Sequence, residues 1–318
     1  MALEIILAYI LDLILGDPRW FPHPVKGIGW LIKKLEPPLK KVIRNERSGG
    51  IILAISVISV SWYLSFIIIG IVSSINRYLG STLSILIIYS SLAIKDLGVE
   101  SMEVYHPLEK KDITSARKKL SLIVGRDTHN LEYQEVIRAT VETISENIVD
   151  GIISPLFYAF IGGAPLVLAY KAVNTLDSMV GYKNEKYKDF GWASARIDDW
   201  ANFIPARLSM LFISFAGLLT AKDALNSWRI ARRDGRKNPS PNSGIPEAAV
   251  AGALGIQLGG LNFYNSKAIL KPFIGDDINA LEPGHIKESI KISYISSALF
   301  LIIGVVLILC IGKGVNIR

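Results

Sequence analysis

The chain alternates between long apolar runs and long polar stretches. Residues 51–72 and 292–312 form two apolar runs that contain no charged residue. A bilayer core needs about 20 apolar helical residues, so both runs predict transmembrane helices. Residues 79–94 form a shorter uncharged run that could return the chain across the membrane.

Three further apolar runs leave alternatives open. Residues 2–16 carry two acidic side chains and lack the basic start and the cleavage site of a signal peptide, so we expect them to be retained as a helix. Residues 152–170 contain prolines and the pair Gly162-Gly163, which favour a break, and a re-entrant hairpin fits them as well as a single span. Residues 208–221 are too short to cross comfortably and could be buried within the bundle.

Composition agrees with a membrane protein. Of the 318 residues, 50% are hydrophobic, and the mean hydropathy of +0.37 excludes a disordered chain and argues against a fully soluble enzyme. The lone cysteine, Cys310, excludes an internal disulfide and a multi-cysteine metal site. The net charge is +7, and the positive-inside rule places the basic loop 17–50 and the stretch from Lys95 on the cytoplasmic side.

No run alternates as a strand would, so these patterns predict an all-α integral membrane protein. We expect a helical bundle with about four to six membrane-embedded segments, together with amphipathic and cytoplasmic helices. Because the polar stretches are spread along the chain and must converge to form one site, residues 1–318 are predicted to form a single domain.

The first polar stretch predicts a helix over residues 130–149, capped by Asp127 or Thr128. Four charged residues on this helix are spaced by three or four positions and therefore share one face. They are Glu135, Arg138, Glu142 and Glu146. Such a stripe is costly to bury unless a cation, a phosphate or water compensates it. The alternative is a solvated face held by ion pairs.

Adjacent carboxylates occur at Asp198 and Asp199, within the polar stretch 195–202. Both cannot face one way on a helix, so one could bind Mg²⁺ while the other caps the helix or pairs with an arginine. Paired Asp residues are also common in ordinary loops. Another polar stretch, residues 174–182, directly follows an apolar segment.

The basic run 232–237 leads into the turn 240–244. Gly and Asn allow a turned backbone whose N–H groups can hold an anion, and the nearby Arg and Lys side chains would neutralise phosphate charge. The alternative is a solvated basic turn. The sequence has neither a Walker A loop nor a GxGxxG fingerprint, and no basic surface interleaved with aromatic residues points to nucleic acid.

These segments together carry a family resemblance. The matching pieces include Leu15-Gly16-Asp17-Pro18, Pro22-His23-Pro24-Val25, Gly125-Arg126-Asp127-Thr128, Asn174-Thr175-Leu176-Asp177-Ser178-Met179-Val180-Gly181-Tyr182, Ala195-Arg196-Ile197-Asp198-Asp199 and Ser240-Pro241-Asn242-Ser243-Gly244. In number and order they resemble the adenosylcobinamide-phosphate synthases of cobalamin (vitamin B12) biosynthesis. One position departs from that pattern: Asn238 stands where the resemblance leads us to expect histidine.

The resemblance implies an integral enzyme of the cell membrane with its polar site loops in the cytoplasm. It would attach aminopropanol, or its O-phosphate, to a propionate carboxylate of adenosylcobyric acid, with ATP and Mg²⁺ as co-reactants and the corrinoid as substrate. Other enzymes of the corrinoid pathway would be possible partners. The competing interpretations are a non-enzymatic transporter, a membrane sensor, or a scaffold of similar build.

Site residues are assigned as hypotheses within that resemblance. The candidates for the base that deprotonates the amine, or for metal ligation, are Glu142, Glu146, Asp177, Asp198 and Asp199. The candidate Mg²⁺ ligands among them are Glu146, Asp198 and Asp199. The candidates for binding substrate and phosphate are Arg126, Arg138, Asn174, Arg196, Arg207, Ser240, Asn242 and Gly244.

Overall fold

The computed structural model describes residues 1–18, 23–182, 185–264 and 266–315. Pro22, which belongs to one of the matching pieces, lies outside the described residues. The chain divides into two compact units, each assembled from distant segments. Unit 1 comprises residues 1–93, 154–202 and the chain from residue 301 onward, and unit 2 comprises residues 94–153 and 203–300. The organisation as one domain stays a prediction.

The described secondary structure is almost entirely helical. The first seven helices are α1 (Ala2–Leu15), α2 (Pro24–Val42), α3 (Glu46–Ile75), α4 (Arg77–Tyr89), α5 (Ile94–Glu109), α6 (Ile113–Leu120) and α7 (Tyr133–Asn147), and a π-helical segment (Ile148–Ile153) follows. The remaining elements are α8 (Ser154–Val180), α9 (Trp192–Ala201), α10 (Phe203–Leu219), α11 (Ala224–Asp234), α12 (Gly244–Leu254), β1 (Leu258–Tyr264), β2 (Lys267–Ile274) and α13 (Gly284–Val315).

Four stretches of the described chain are long and apolar enough to cross a membrane, or five if α9 and α10 form one broken span. They are Glu46–Ile75, Arg77–Glu109, Tyr133–Val180 and Gly284–Cys310. The apolar runs 51–72 and 292–312 lie within α3 and α13, as predicted. The expected all-α membrane fold is therefore confirmed.

Unit 1 packs α2, α3 and α8 around a common apolar core. Ile32, Leu53 and Leu176 are fully buried there. Gly50 of α3 lies so close to the Phe190 backbone that a Cβ would meet its carbonyl oxygen at 1.8 Å. This contact excludes any larger residue without a shift of the backbone.

The break expected between residues 152 and 170 is present within α8. Gly162 has φ −143° and ψ 17°, and Gly163 has φ 64° and ψ −159°, so neither residue is helical. The positive φ of Gly163 is costly for residues with a Cβ, which explains why glycine stands there.

Unit 2 is built around α12, whose residues are all buried. The α11 and α12 helices approach closely at Gly252, where a Cβ would lie 2.7 Å from the Asn226 carbonyl oxygen. Two side chains of α11 fasten this contact: Asn226 Nδ2 donates to the Gly252 carbonyl at 2.9 Å, and Ser227 Oγ donates to the Ala249 carbonyl at 2.8 Å.

A β-hairpin in unit 2 differs from the expectation that the chain has no strands. β1 and β2 pair antiparallel, with Gly260 opposite Lys271 and an irregular register between Leu258 and Gly260. Gly259 and Gly260 have φ values of 87° and 86°. The glycine pair and the register shift interrupt the alternation of side chains, so the strand pattern is hidden in the sequence.

Candidate functional site

The polar face of α7 is buried at its centre and is not a solvated stripe. The N-terminus of the helix is closed by a capping box between Glu132 and Glu135, which replaces the expected cap at Asp127 or Thr128. Asp127 instead accepts a 2.7 Å hydrogen bond from the Ser266 amide at its Oδ2. The helix thus begins three residues later than the sequence predicts.

Glu142 is the centre of this face, and its side chain is 2% exposed. Arg126 Nη2 donates to Glu142 Oε2, and Arg126 Nη1 donates to Asn262 Oδ1 at 2.7 Å. Glu142 Oε1 accepts from the Gly259 amide at 2.9 Å. Both carboxylate oxygens are therefore satisfied, which a buried ion pair needs in order to offset the cost of desolvation.

Arg138 lies one turn before Glu142 and is less completely paired. Its Nη2 donates to the Leu261 carbonyl at 2.8 Å, while its Nε is 3.8 Å from Glu142 Oε1. That Nε is buried and has no hydrogen-bond partner in the described chain. The side chain borders a cavity of about 190 Å³ that Glu135 and Gly259 also line. Asp277 lines the cavity as well, so a guanidinium held in place by the hairpin stands there beside two acidic side chains.

A second carboxylate pair joins α7 to α12. Glu247 is 2% exposed, and its Oε2 accepts from Asn238 Nδ2 at 3.1 Å. Its Oε1 is buried and has no hydrogen-bond partner in the described chain. Burial raises the pKa of Glu247 well above its usual value, and the nearby charges of Glu146 and Glu142 raise this pKa further.

Lys271 of β2 contributes positive charge near these carboxylates. Burial lowers the pKa of Lys271, but the charges of Glu146 and Glu247 outweigh burial, so the net shift is upward. Glu146 and Lys271, both half-buried, therefore form an acid–base cluster with the buried Glu247. Sequence reasoning identified Glu146 alone. A lone carboxylate within the otherwise apolar helix 244–254 was the signal that could have revealed Glu247.

The predicted anion-binding turn is formed, but its amides are engaged. Ser240 Oγ accepts hydrogen bonds of 3.3 Å from the amides of Asn242 and Ser243. Gly244 begins α12, and a Cβ there would lie 2.6 Å from the Gly235 carbonyl oxygen. Arg207 Nη1 donates to Asn242 Oδ1 at 3.2 Å, so Arg207 lies directly beside this turn.

Asp198 lies beside a buried polar network in unit 1. Asn202 Nδ2 donates to Asp198 Oδ2 at 3.1 Å. The Asn202 Oδ1 accepts from Ser154 Oγ at 2.6 Å and from the Tyr170 hydroxyl at 3.0 Å. This network fixes the end of α9 against α8.

Asp199 takes a different direction from its neighbour, as the helical geometry requires. Its Oδ2 lies 3.8 Å from Arg196 Nη1, an ion pair one turn apart with a largely exposed arginine. Asn174 and Asp177 lie half-buried on the last turns of α8. Gly181 follows closely, and a Cβ there would lie 2.0 Å from Asp177 Oδ1.

The predicted site residues fall into two sets. Unit 2 contains Arg126, Arg138, Glu142, Glu146, Arg207, Ser240, Asn242 and Gly244. Unit 1 contains Asn174, Asp177, Arg196, Asp198 and Asp199. The hypothesis that both sets serve one pocket, and the roles assigned to them, stay predictions. In the described part of the chain, no three His, Cys, Asp or Glu side chains gather into a metal-binding group.

Comparison with known proteins decides the family. The sequence profile of the family described as CobD/Cbib protein matches residues 5–293. The chain belongs to this family. The family resemblance inferred from the motifs is thereby confirmed.

Relatives of the CobD/Cbib family match nearly end to end. The chain is 48% identical to a protein of Geobacter metallireducens over 303 residues, which cover 95% of each chain. It is 45% identical to a protein of Clostridium tetani over 305 residues, 95% of this chain and 96% of that one. A protein of Klebsiella pneumoniae is 45% identical over 304 residues, 94% of this chain and 95% of that one. All three are named "Cobalamin biosynthesis protein CobD". No solved structure matches the chain.

Proposed function

We propose that this CobD/Cbib family protein joins the amine of aminopropanol, or of its O-phosphate, to a propionate carboxylate of adenosylcobyric acid in an ATP-dependent reaction. Family membership over nearly the whole chain and the names of the relatives support a role in cobalamin biosynthesis. The acid–base cluster of Glu146, Glu247 and Lys271 in unit 2 is the observation that supports the further step to catalysis.

The reaction needs activation because a carboxylate is a poor electrophile. Transfer of the γ-phosphoryl group of ATP to a carboxylate oxygen gives an acyl phosphate and ADP. The amine then attacks the carbonyl carbon, the C–O bond to phosphate breaks, and inorganic phosphate leaves. One proton must be removed from the amine nitrogen, so the site needs cations for the phosphates and a carboxylate base.

The cluster around α7 contains groups suited to both tasks. Arg126 and Glu142 satisfy each other, so we assign them the role of holding the α7 face against the hairpin. Arg138 borders a cavity and keeps an unmatched buried N–H, which suits it to bind an anionic substrate group. Glu146 belongs to that face, and Glu247 of α12 lies near it with an Oε1 that has no hydrogen-bond partner in the described chain; we assign the proton-accepting role to this pair.

In enzymes that use ATP, Mg²⁺ binds together with the nucleotide. Its ligands are usually one or two protein carboxylates, phosphate oxygens and water molecules. The carboxylates of Glu146 and Glu247 fit that requirement, since a buried oxygen of Glu247 has no hydrogen-bond partner in the described chain. The metal would neutralise phosphate charge when bound. Asp198 and Asp199 remain the alternative ligands from unit 1.

Location and partners follow from the same proposal. The apolar helices make this a membrane protein, and we place it in the cell membrane with its polar loops in the cytoplasm, where ATP is available. A hydrophilic amine and a large corrinoid would both reach such loops from water. Other corrinoid-pathway enzymes would deliver the substrate and take the product.

Amide formation by the purified full-length protein tests the proposal. Protein in lipid nanodiscs would receive adenosylcobyric acid, MgATP and either aminopropanol or its O-phosphate. We expect an amide product by mass spectrometry and one ADP released for each amide. Corrinoid binding without ADP release, with either amine, would instead favour the transporter, sensor or scaffold interpretation.

A further inference from the structure

The basic run 232–237 divides into two sets by its charge partners. Arg233 Nη2 lies 2.7 Å from Asp234 Oδ2 and 2.7 Å from Asp276 Oδ1. Lys237 Nζ lies 2.7 Å from Asp234 Oδ1. The charges of Arg233 and Lys237 are therefore neutralised by carboxylates, and their role is structural.

Arg232 and Arg236 have no such partners. In the described part of the chain, neither guanidinium forms an ion pair with a carboxylate. Both line a cavity of about 360 Å³ together with Arg207. The other lining residues are Met210, Ala231 and Ile245, so no acidic side chain among the described residues borders the cavity.

Arg207 lies near the N-terminus of α10, and its guanidinium is held in place by contacts within the protein. Its Nη1 donates to the Phe203 carbonyl at 2.7 Å and to Asn242 Oδ1 at 3.2 Å. Its guanidinium stacks 3.4 Å from the centre of the Phe203 ring. Both hydrogen bonds use Nη1, which leaves Nε and Nη2 of Arg207 available in the described structure.

Three like charges around one cavity repel each other unless an anion joins them. Guanidinium groups present planar pairs of N–H donors that match phosphate oxygens, and Arg is preferred over Lys where such matching counts. The volume of about 360 Å³ falls in the range of small-molecule sites. Arg232 and Arg236 are exposed, so a soluble anion can reach them, and Met210 and Ile245 form an apolar wall on another side of the cavity.

We propose that Arg207, Arg232 and Arg236 form a subsite for the phosphate groups of a soluble substrate, either ATP or the phosphorylated amine. This assignment rests on the proposed function, since both compounds are reactants of that scheme. It adds Arg232 and Arg236 to the site, and it separates them from the neighbouring structural pair Arg233 and Lys237. The phosphate of an anionic lipid headgroup is the competing source of the same chemistry.

The test compares matched arginine variants on α11 and in the turn that directly follows it. In the double variant Arg232→Gln, Arg236→Gln, both guanidinium groups are lost and much of each side-chain stem is kept. Arg229→Gln is the control, because Arg229 is exposed on the same α11 helix and does not line the cavity. Full-length protein in phosphatidylcholine nanodiscs would be titrated by calorimetry with the Mg²⁺ complex of the hydrolysis-resistant analogue AMP-PNP and, separately, with aminopropanol O-phosphate.

We expect the double variant to bind one of these two probes at least about tenfold more weakly. Each substitution removes a charge-assisted hydrogen bond to phosphate, which is stronger than a hydrogen bond between neutral groups. The control should change affinity by less than about twofold, because Arg229 does not line the cavity and acts on a bound anion only through solvent. The single variant Arg236→Lys keeps the charge and loses the planar fork, so it should weaken binding of the same probe by an intermediate factor.

Unchanged affinity for both probes in the double variant would overturn the subsite. A second arm would purify the protein from mixed membranes that contain phosphatidylglycerol and measure how much of this lipid is retained. Reduced retention in the double variant, with intact binding of both soluble probes, would also overturn the subsite. The readout is independent of turnover. Wild-type protein that binds a probe through these arginines but makes no amide would refute the proposed reaction and leave the subsite standing. If the wild type forms the amide and the double variant binds both probes with full affinity, the proposed reaction stands and the subsite is refuted.

Discussion

Asp234 and Glu247 are both buried carboxylates of unit 2, yet their surroundings are opposite. Asp234 is fully enclosed by donors: Arg233, Lys237 and the Gly275 amide all bond to its oxygens. Glu247 accepts a hydrogen bond from Asn238, but its other neighbours in the described chain include the carboxyl groups of Glu146 and Glu142. Burial raises the pKa of both groups, but the donors outweigh burial at Asp234 and hold its pKa below the usual value. A satisfied carboxylate serves stability, whereas an unsatisfied one is a candidate for chemistry.

The largest expected effect distinguishes the two carboxylates by activity. Glu247→Gln should reduce amide formation about 100-fold, because the variant loses a proton acceptor beside Glu146. Its thermal stability should stay unchanged or rise, since the amide can still accept from Asn238 and no longer repels Glu146. Glu282→Gln is the control, because Glu282 is exposed. Product formation and thermal unfolding in nanodiscs would be measured for both variants, and near-normal turnover with Glu247→Gln would remove it from the site.

Asp234→Asn should show the opposite pattern. The variant loses charge-assisted hydrogen bonds from Arg233 and Lys237, worth roughly 2 kcal/mol together after allowance for the partial exposure of both cations. A loss of this size corresponds to a fall of roughly 5 °C in Tm. Turnover per folded molecule should stay close to that of the wild type. An unchanged Tm would show that this buried network contributes little net stability.

The comparison also shows what the sequence could and could not predict. The shared face of Glu135, Arg138 and Glu142 follows from helical spacing, and the structure shows Glu135 and Glu142 each 3.8 Å from Arg138. The long apolar helices and the break at 162–163 follow from local composition in the same way.

The partners of these residues could not be read from local pattern. The Gly259 amide donates to Glu142, and Arg126 donates to the Asn262 side chain. Both partners lie more than 100 residues further along the chain. The hairpin that supplies these partners is concealed by its glycine pair. The capping box at Glu132 was also missed, because Asp127 and Thr128 are the residue types that caps prefer.

The pH dependence of stability would sharpen the assignment of Asp234. The pKa of Asp234 is lower in the folded state than in the unfolded chain, so the folded state binds fewer protons. Its contribution should therefore be complete above about pH 5 and decline as the pH falls through and below about 4, the ordinary pKa of Asp. The Tm difference between the wild type and Asp234→Asn, measured from pH 7 to pH 3, should shrink on acidification. A difference that grows toward acid would mean that the carboxylate is not stabilised by its donors.

The smallest expected effect concerns Asn238, the position where the resemblance led us to expect histidine. Asn238 Nδ2 donates to Glu247 Oε2 at 3.1 Å, so its substitution removes or changes a hydrogen bond that orients this carboxylate. Asn238→Ala should cost about 1 kcal/mol of stability and reduce turnover by severalfold, since a buried acceptor loses its donor. Asn238→His can restore a ring N–H donor, and we expect most of the turnover to return. Equal turnover in wild type, Asn238→Ala and Asn238→His would show that the orientation of Glu247 does not depend on this contact. If Asn238→Ala loses turnover and Asn238→His keeps it, an N–H donor is what this position requires. Asparagine and histidine would then both serve there, because each can present an N–H to the same carboxylate oxygen.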